Sequence, residues 1–186
     1  MKTSKKLLTV FTAFVLALLF TNVNAQHYKY EGVKKCSMCH KSKKIGAQYK
    51  IWKKSAHANA YKTLQTKKAD EIAKKEGFKT KAAETPKCLK CHVTAYGVDK
   101  KLLGKKYKME DGVQCESCHG PGSGYAKMSI MKNRKKSIAK GLKLYDNDKK
   151  KIKELCVTCH NSENPTDHGF DFDKYWAEIQ HYIPKK

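Results

Sequence analysis

The chain has 186 residues, a formal net charge of +23 from 40 Lys and Arg against 17 Asp and Glu, and eight cysteines. That length suits about one domain, and a lysine-dense composition without long apolar runs beyond residue 25 excludes a large core built from apolar side chains alone. So basic a balance would suit nucleic acid, yet export and the cysteine usage described below argue against it; a docking face for an acidic partner or an anionic surface fits a carrier, and simple solvation with a lysine-rich codon bias is the alternative.

The first residues read as a secretory leader. Lys2, Lys5 and Lys6 precede an apolar-rich run from Leu7 to Phe20, followed by Asn22-Val23-Asn24-Ala25. This is the pattern of a signal peptide cleaved after Ala25, and the run is short of the roughly 20 residues a bilayer core requires. No cysteine lies near the cleavage point to carry a lipid. The expected organisation is a leader over 1–25 and one exported, periplasmic domain over 26–186.

Beyond the leader, residues 26–40 are expected to be extended. Helices are expected from about Ala47 to Leu64 and from Lys67 to about Lys75, ending near Gly77. Gly97, Gly104 and Gly112 mark turns over the following stretch. Gly120-Pro121-Gly122-Ser123-Gly124 is a sharp loop. A lysine-rich helix is then expected from Tyr125 to about Lys140, with Met128, Ile130, Met131 and Ile138 partly buried. Asp146 or Asp148 can cap a helix running into Cys156, and the aromatic-rich segment from Phe170 to Gln180 forms a short C-terminal helix. The class is mostly α, irregular and loop-rich.

The cysteines fall into four pairs, Cys36/Cys39, Cys88/Cys91, Cys115/Cys118 and Cys156/Cys159, each followed directly by a histidine: His40, His92, His119 and His160. Cys-x-x-Cys-His is the attachment signature of c-type haem. Two thiols bond the two vinyl groups of one porphyrin, and the adjacent histidine coordinates its iron. Zinc sites of four thiolates or exported disulfides would use the cysteines but have no need of a histidine after every second one. The motifs therefore imply four haem c groups. About 40 residues per haem is too little chain for separate domains, so the haems are expected to stack as a shared core.

Each iron has a second axial position, and four histidines lie outside the motifs: His27, His57, His168 and His181. His57 has small neighbours, with Ala60, Tyr61 and Leu64 on the same helical face. His181 follows the aromatic segment, which can hold it against a porphyrin edge. His168 lies in the loop Asn164-Pro165-Thr166-Asp167-His168-Gly169, suited to reaching a neighbouring haem. His27 would be the second residue of the mature chain, where backbones fray. Met128 and Met131 are the alternative sixth ligands, although methionines at that spacing more often pack in a core.

Three segments carry a resemblance to a known family: Trp52…Ser55-Ala56-His57…Ala60…Leu64, Cys88-Leu89-Lys90-Cys91-His92-Val93-Thr94-Ala95-Tyr96-Gly97, and Gly112-Val113-Gln114-Cys115-Glu116-Ser117-Cys118-His119-Gly120-Pro121-Gly122-Ser123. With these residues the chain resembles the cytochrome c554 family. The resemblance implies a periplasmic, mostly helical electron carrier with closely stacked haems and His57 as a distal ligand. Members often place a histidine shortly after the Gly-Pro-Gly-Ser loop, where this chain has Tyr125. By resemblance one haem lacks a sixth protein ligand, and the Cys88/Cys91 haem is the one expected to be five-coordinate.

The leading functional expectation is electron relay between redox partner proteins with acidic docking surfaces, with no catalytic residue and no nucleic acid. The alternative is an oxidoreductase acting on nitric oxide, nitrite or hydroxylamine at a five-coordinate haem, with His27 or Tyr125 as its proton-donating group. A third reading is a wiring subunit peripheral to a membrane respiratory complex.

Overall fold

The computed structural model describes residues 27–182, so the leader read over 1–25 lies outside the described residues. Among the described residues ten short helices follow in chain order: α1 Val33–His40, α2 Gln48–Lys54, α3 Ala60–Leu64, α4 Lys67–Lys75, α5 Pro86–His92, α6 Cys115–His119, α7 Met128–Met131, α8 Arg134–Ala139, α9 Lys149–Cys156 and α10 Phe172–Ile179. Turns of 3₁₀ helix link several of them. Among the described residues the β pairing is a single isolated bridge between Tyr30 and Leu103, with Tyr30 N donating to Leu102 O at 2.8 Å and Gly104 N to Tyr30 O at 2.7 Å.

Local chemistry explains where the helices stop. α4 spans the expected residues: the Thr66 side chain accepts from Ala69 N, and the left-handed Gly77 (φ 83°) follows its end. The expected continuous helix from Ala47 to Leu64 is instead broken at Ser55. Its backbone is extended, and its hydroxyl donates to Trp52 O at 2.7 Å, competing with the helical ladder. His57 therefore lies in a 3₁₀ turn, Ala56–Asn59, rather than on one face of a long helix. The expected helix from Tyr125 to Lys140 divides into α7 and α8, because the Asn133 side chain caps the second piece by accepting from Lys136 N at 3.0 Å. Ile130 and Met131 are half-buried, while Met128 and Ile138 are exposed. Asp148 caps α9, and Asp146 instead pairs with Arg134.

Apolar packing is confined. Leu64, Ala73, Ala82, Leu89 and Val93 form a cluster that joins α3, α4 and α5, with Phe78 and Met109 against it, and it seats the second Cys-x-x-Cys-His segment. Yet the largest fully buried side chains are all polar: Gln114, Glu116, Thr85, Thr94 and Ser137. A chain this size normally buries its large apolar residues most deeply. Here a hydrogen-bonded framework shares the interior with the cluster and with separate buried residues such as Val33, Trp52, Ile152 and Phe172.

Candidate haem sites

In the first three motifs a helix carries the tether. Two cysteines at i and i+3 lie one turn apart on one face, and histidine at i+4 follows on that face. α1 ends at His40, α5 at His92 and α6 at His119. In the fourth, α9 ends at Cys156 and the chain turns through Cys159 and His160, whose backbone N–H groups both donate to Cys156 O, at 3.2 and 3.0 Å.

The histidines are held in a specific tautomer. Nδ1 of His92 lies 2.8 Å from Ala60 O, Nδ1 of His119 2.9 Å from Lys143 O, and Nδ1 of His181 2.9 Å from Ile179 O. A backbone carbonyl only accepts, so in the neutral ring each Nδ1 carries the proton and Nε2 keeps its lone pair. His40 reaches the same state through a side chain, its Nδ1 lying 3.1 Å from Oε1 of Gln48. The Gln48 amide nitrogen donates to Ile45 O and also meets Tyr182 O at 3.4 Å, which orients Oε1 as the acceptor. Burial pushes His57, His119 and His160 below the ordinary imidazole value, favouring the neutral ring that metal ligation requires.

Two pairs of histidine rings face each other. His57 and His160 have centroids 6.0 Å apart, and His119 and His181 5.8 Å apart. An imidazole nitrogen stands about 2 Å from a bound metal, so two rings on opposite sides of one ion have centroids roughly 6 Å apart. The donor set thus fits two bis-histidine irons, with His181 beside the third motif's histidine and His57 beside the fourth's. Phe170 stacks on His160 at 4.4 Å and 14°. By contrast, His27 and His168 are exposed, and neither meets a motif histidine. Among the described residues no second imidazole ring faces His40 or His92.

The thiols associate across motifs. Cys36 lies beside Cys115, and Cys91 beside Cys159, so the first motif lies by the third and the second by the fourth. Hydrogen bonding to Cys115 and burial push the Cys36 thiol up, while that bond lowers Cys115. Burial pushes Cys118 up to about 12 and Cys91 to about 11. Among the described residues, no three of His, Cys, Asp and Glu converge as a metal cluster.

The third segment also organises its surroundings. Glu116 accepts three backbone N–H bonds, from Glu31 at 2.7 Å and Gly122 at 2.6 Å on Oε1 and from Gly32 at 2.8 Å on Oε2. Gln114 accepts from Val33 N at 2.7 Å and donates to Lys108 O at 2.8 Å. Gly112 is left-handed (φ 70°), and a Cβ there would stand 2.7 Å from His57 O, which instead accepts from Val113 N at 3.0 Å. Tyr125 is buried and donates to Gly120 O at 2.6 Å, so burial pushes its hydroxyl up and its proton is committed to the loop. Sequence reasoning read Phe170 only as part of the aromatic segment, and it did not find Gln48, Gln114 or Glu116 as supporting residues. The last two stand inside the most specific segment of the resemblance, which was the one signal they had.

Comparison with known proteins decides the family. The family model described as cytochrome c554 and c-prime matches residues 35–120. The cytochrome c-554 of Nitrosomonas europaea is 35% identical over 160 residues, a match covering 78% of this chain. The chain belongs to the cytochrome c554 family. The cytochrome therefore carries haem c with iron, and the family is one of electron-transfer proteins whose members are typically exported. The chain spans 65% of the length of the Nitrosomonas relative. The stretch matched by the family model takes in the first three motifs, and the fourth lies beyond it. No solved structure matches the chain. Among the described residues no helix is long and apolar enough to cross a membrane.

Proposed function

We propose that residues 26–186, freed of the leader, form a periplasmic tetrahaem cytochrome that relays electrons between redox partner proteins. The carrying observation is the pair of histidine couples, His57 with His160 and His119 with His181, at the separation a bis-histidine iron requires. When bound, haem supplies reversible one-electron chemistry at iron. The polypeptide supplies the rest. Cys36 and Cys39, Cys88 and Cys91, Cys115 and Cys118, and Cys156 and Cys159 are the tethers, and His40, His92, His119 and His160 are the proximal ligands. The Nδ1 partners of His40, His92, His119 and His181 hold those rings and keep Nε2 free. Contacts between motifs bring neighbouring tethers together, as a relay requires.

The carrier reading is favoured over a small-molecule oxidoreductase by the fate of the two proton-donor candidates. Tyr125 spends its hydroxyl proton on Gly120 O, and His27 is exposed, with no ring partner among the described residues. Chemistry on nitric oxide, nitrite or hydroxylamine would need a positioned donor over an open iron.

The test is haem stoichiometry followed by ligand exchange. The pyridine haemochrome of the purified protein should report four haems per chain, and carbon monoxide should bind at most two of them after reduction. His57→Ala and His181→Ala should each convert one further haem from low to high spin and add one carbon monoxide site. An unchanged spectrum in either variant removes that histidine from the ligand set.

A further inference from the structure

Lysines are spread along the whole chain, but acids are not. Between Glu31 and Asp70 there are eleven lysines and no Asp or Glu, and the first motif lies inside that stretch. The other motifs carry counter-charge of their own. Glu116 is within the third, and Lys90, within the second, sits 3.6 Å from Glu163. Lys149 and Lys151, on the helix that ends at Cys156, pair with Asp173 at 2.7 Å and Asp148 at 3.2 Å. Among the described residues Lys41, Lys43 and Lys44 form no ion pair, and all three are exposed.

The centre of this basic rim is apolar. Met38, between the two cysteines of the first motif, is 66% exposed. Cys39 is exposed, whereas the other seven cysteines are partly buried. Lys106, distant in sequence, comes to the same place, with its Nζ 3.5 Å from Met38 Sδ. Charges at the rim steer an oppositely charged protein, and an apolar centre is what a contact face desolvates. An anionic lipid surface would use the lysines but has no use for an exposed haem tether at their centre. A redox protein uses both.

We propose that the Met38–Cys39 edge, framed by Lys41, Lys43, Lys44 and Lys106, is the face on which an acidic redox protein docks to exchange electrons through the first haem. This rests on the electron-carrier reading given above. It differs from a general attraction of a basic protein for acidic ones, because it assigns the exchange to one motif of four.

Two variants of the haem-loaded protein separate placement from overall charge. Lys41→Glu/Lys43→Glu/Lys44→Glu and Lys74→Glu/Lys75→Glu/Lys79→Glu change the net charge equally, and the second set is likewise exposed. Each is mixed at low ionic strength in a stopped-flow instrument with a reduced plant-type ferredoxin, an acidic protein donor, and separately with reduced lumiflavin, a small donor that needs no docking face. The first variant should react with ferredoxin about tenfold or more slowly than the wild type, and the second within about twofold. Lumiflavin should reduce all three alike. Lys41→Gln/Lys43→Gln/Lys44→Gln should give an intermediate slowing, and it serves as the milder variant if the glutamates hinder maturation. Equal slowing at both positions, or at neither, overturns the assignment. So does a first variant that keeps its ferredoxin rate but loses binding to phosphatidylglycerol vesicles, which would make the lysines a membrane contact. A wild type that takes electrons from neither donor would remove the carrier reading itself.

Discussion

A histidine becomes a ligand when one ring nitrogen is occupied as a donor and the other is left bare. His92, His119 and His181 achieve this against backbone carbonyls, which side-chain substitution leaves in place. His40 depends on Gln48, so it is the proposed ligand whose basicity a point mutation can reset. Replacing a neutral acceptor by a carboxylate strengthens the hydrogen bond by about 1 kcal/mol, roughly 40 mV for a one-electron couple. Gln48→Glu should therefore lower one of the haem potentials by about that amount, and Gln48→Leu should raise the same one. Spectroelectrochemical titration of the loaded protein checks this, and movement of all the transitions together would point to a general structural change instead. Nothing in the sequence around Gln48 announces this role, because its partners at His40 and Tyr182 are set by the way the chain returns on itself.

The helices are short because their own side chains stop them, and what joins them is polar. α6 is five residues long, yet Glu116 on it ties the N-terminal segment at Glu31 and Gly32 to the loop at Gly122. Truncating one partner leaves the others buried without acceptors, at about 1–3 kcal/mol for each such group. Glu116→Ala should cost the protein at least about 3 kcal/mol, and Glu116→Gln, which keeps an acceptor oxygen, should cost distinctly less. Thermal or denaturant melts of the loaded protein give both values, and equal costs would mean the side chain acts by volume and not by accepting these bonds. Element boundaries were legible where caps are local. Thr66, Asp148 and Asp171 each begin a helix that the sequence places. The breaks at Ser55 and Asn133 were missed because a serine or asparagine can equally sit on the solvent face of a continuing helix, and only its hydrogen bond reveals which.

At the scale of the whole molecule, the polypeptide lacks a large core of its own. Its apolar cluster surrounds one motif, and its largest fully buried side chains are polar. Conformational entropy of about 1–2 kcal/mol per residue opposes folding, and burial of the eleven apolar residues buried among the described ones, at no more than about 1.5–3 kcal/mol each, does not offset it. The chain produced without haem attachment should therefore be largely unfolded, with weak helical circular dichroism and rapid proteolysis, while the loaded protein resists protease. A protease-resistant helical apoprotein would show that the hydrogen-bonded framework suffices alone.

The sequence by itself determined the Cys-x-x-Cys-His spacing, the family resemblance and the mostly helical class, and it supplied the histidines proposed as distal ligands. All of these depend on spacing within a turn or two of chain, which helix periodicity and side-chain chemistry encode directly. The tertiary structure decided which histidines face one another. It placed His57 opposite His160 and His181 opposite His119, set Cys36 against Cys115, and left His27 and His168 at the surface. Those placements are carried by bonds between distant segments. Val113 N reaches His57 O, and Lys143 N reaches His119 O while its own carbonyl takes the His119 ring proton. Backbone partners of this kind have no residue-type signature, so only the folded path of the chain selects them.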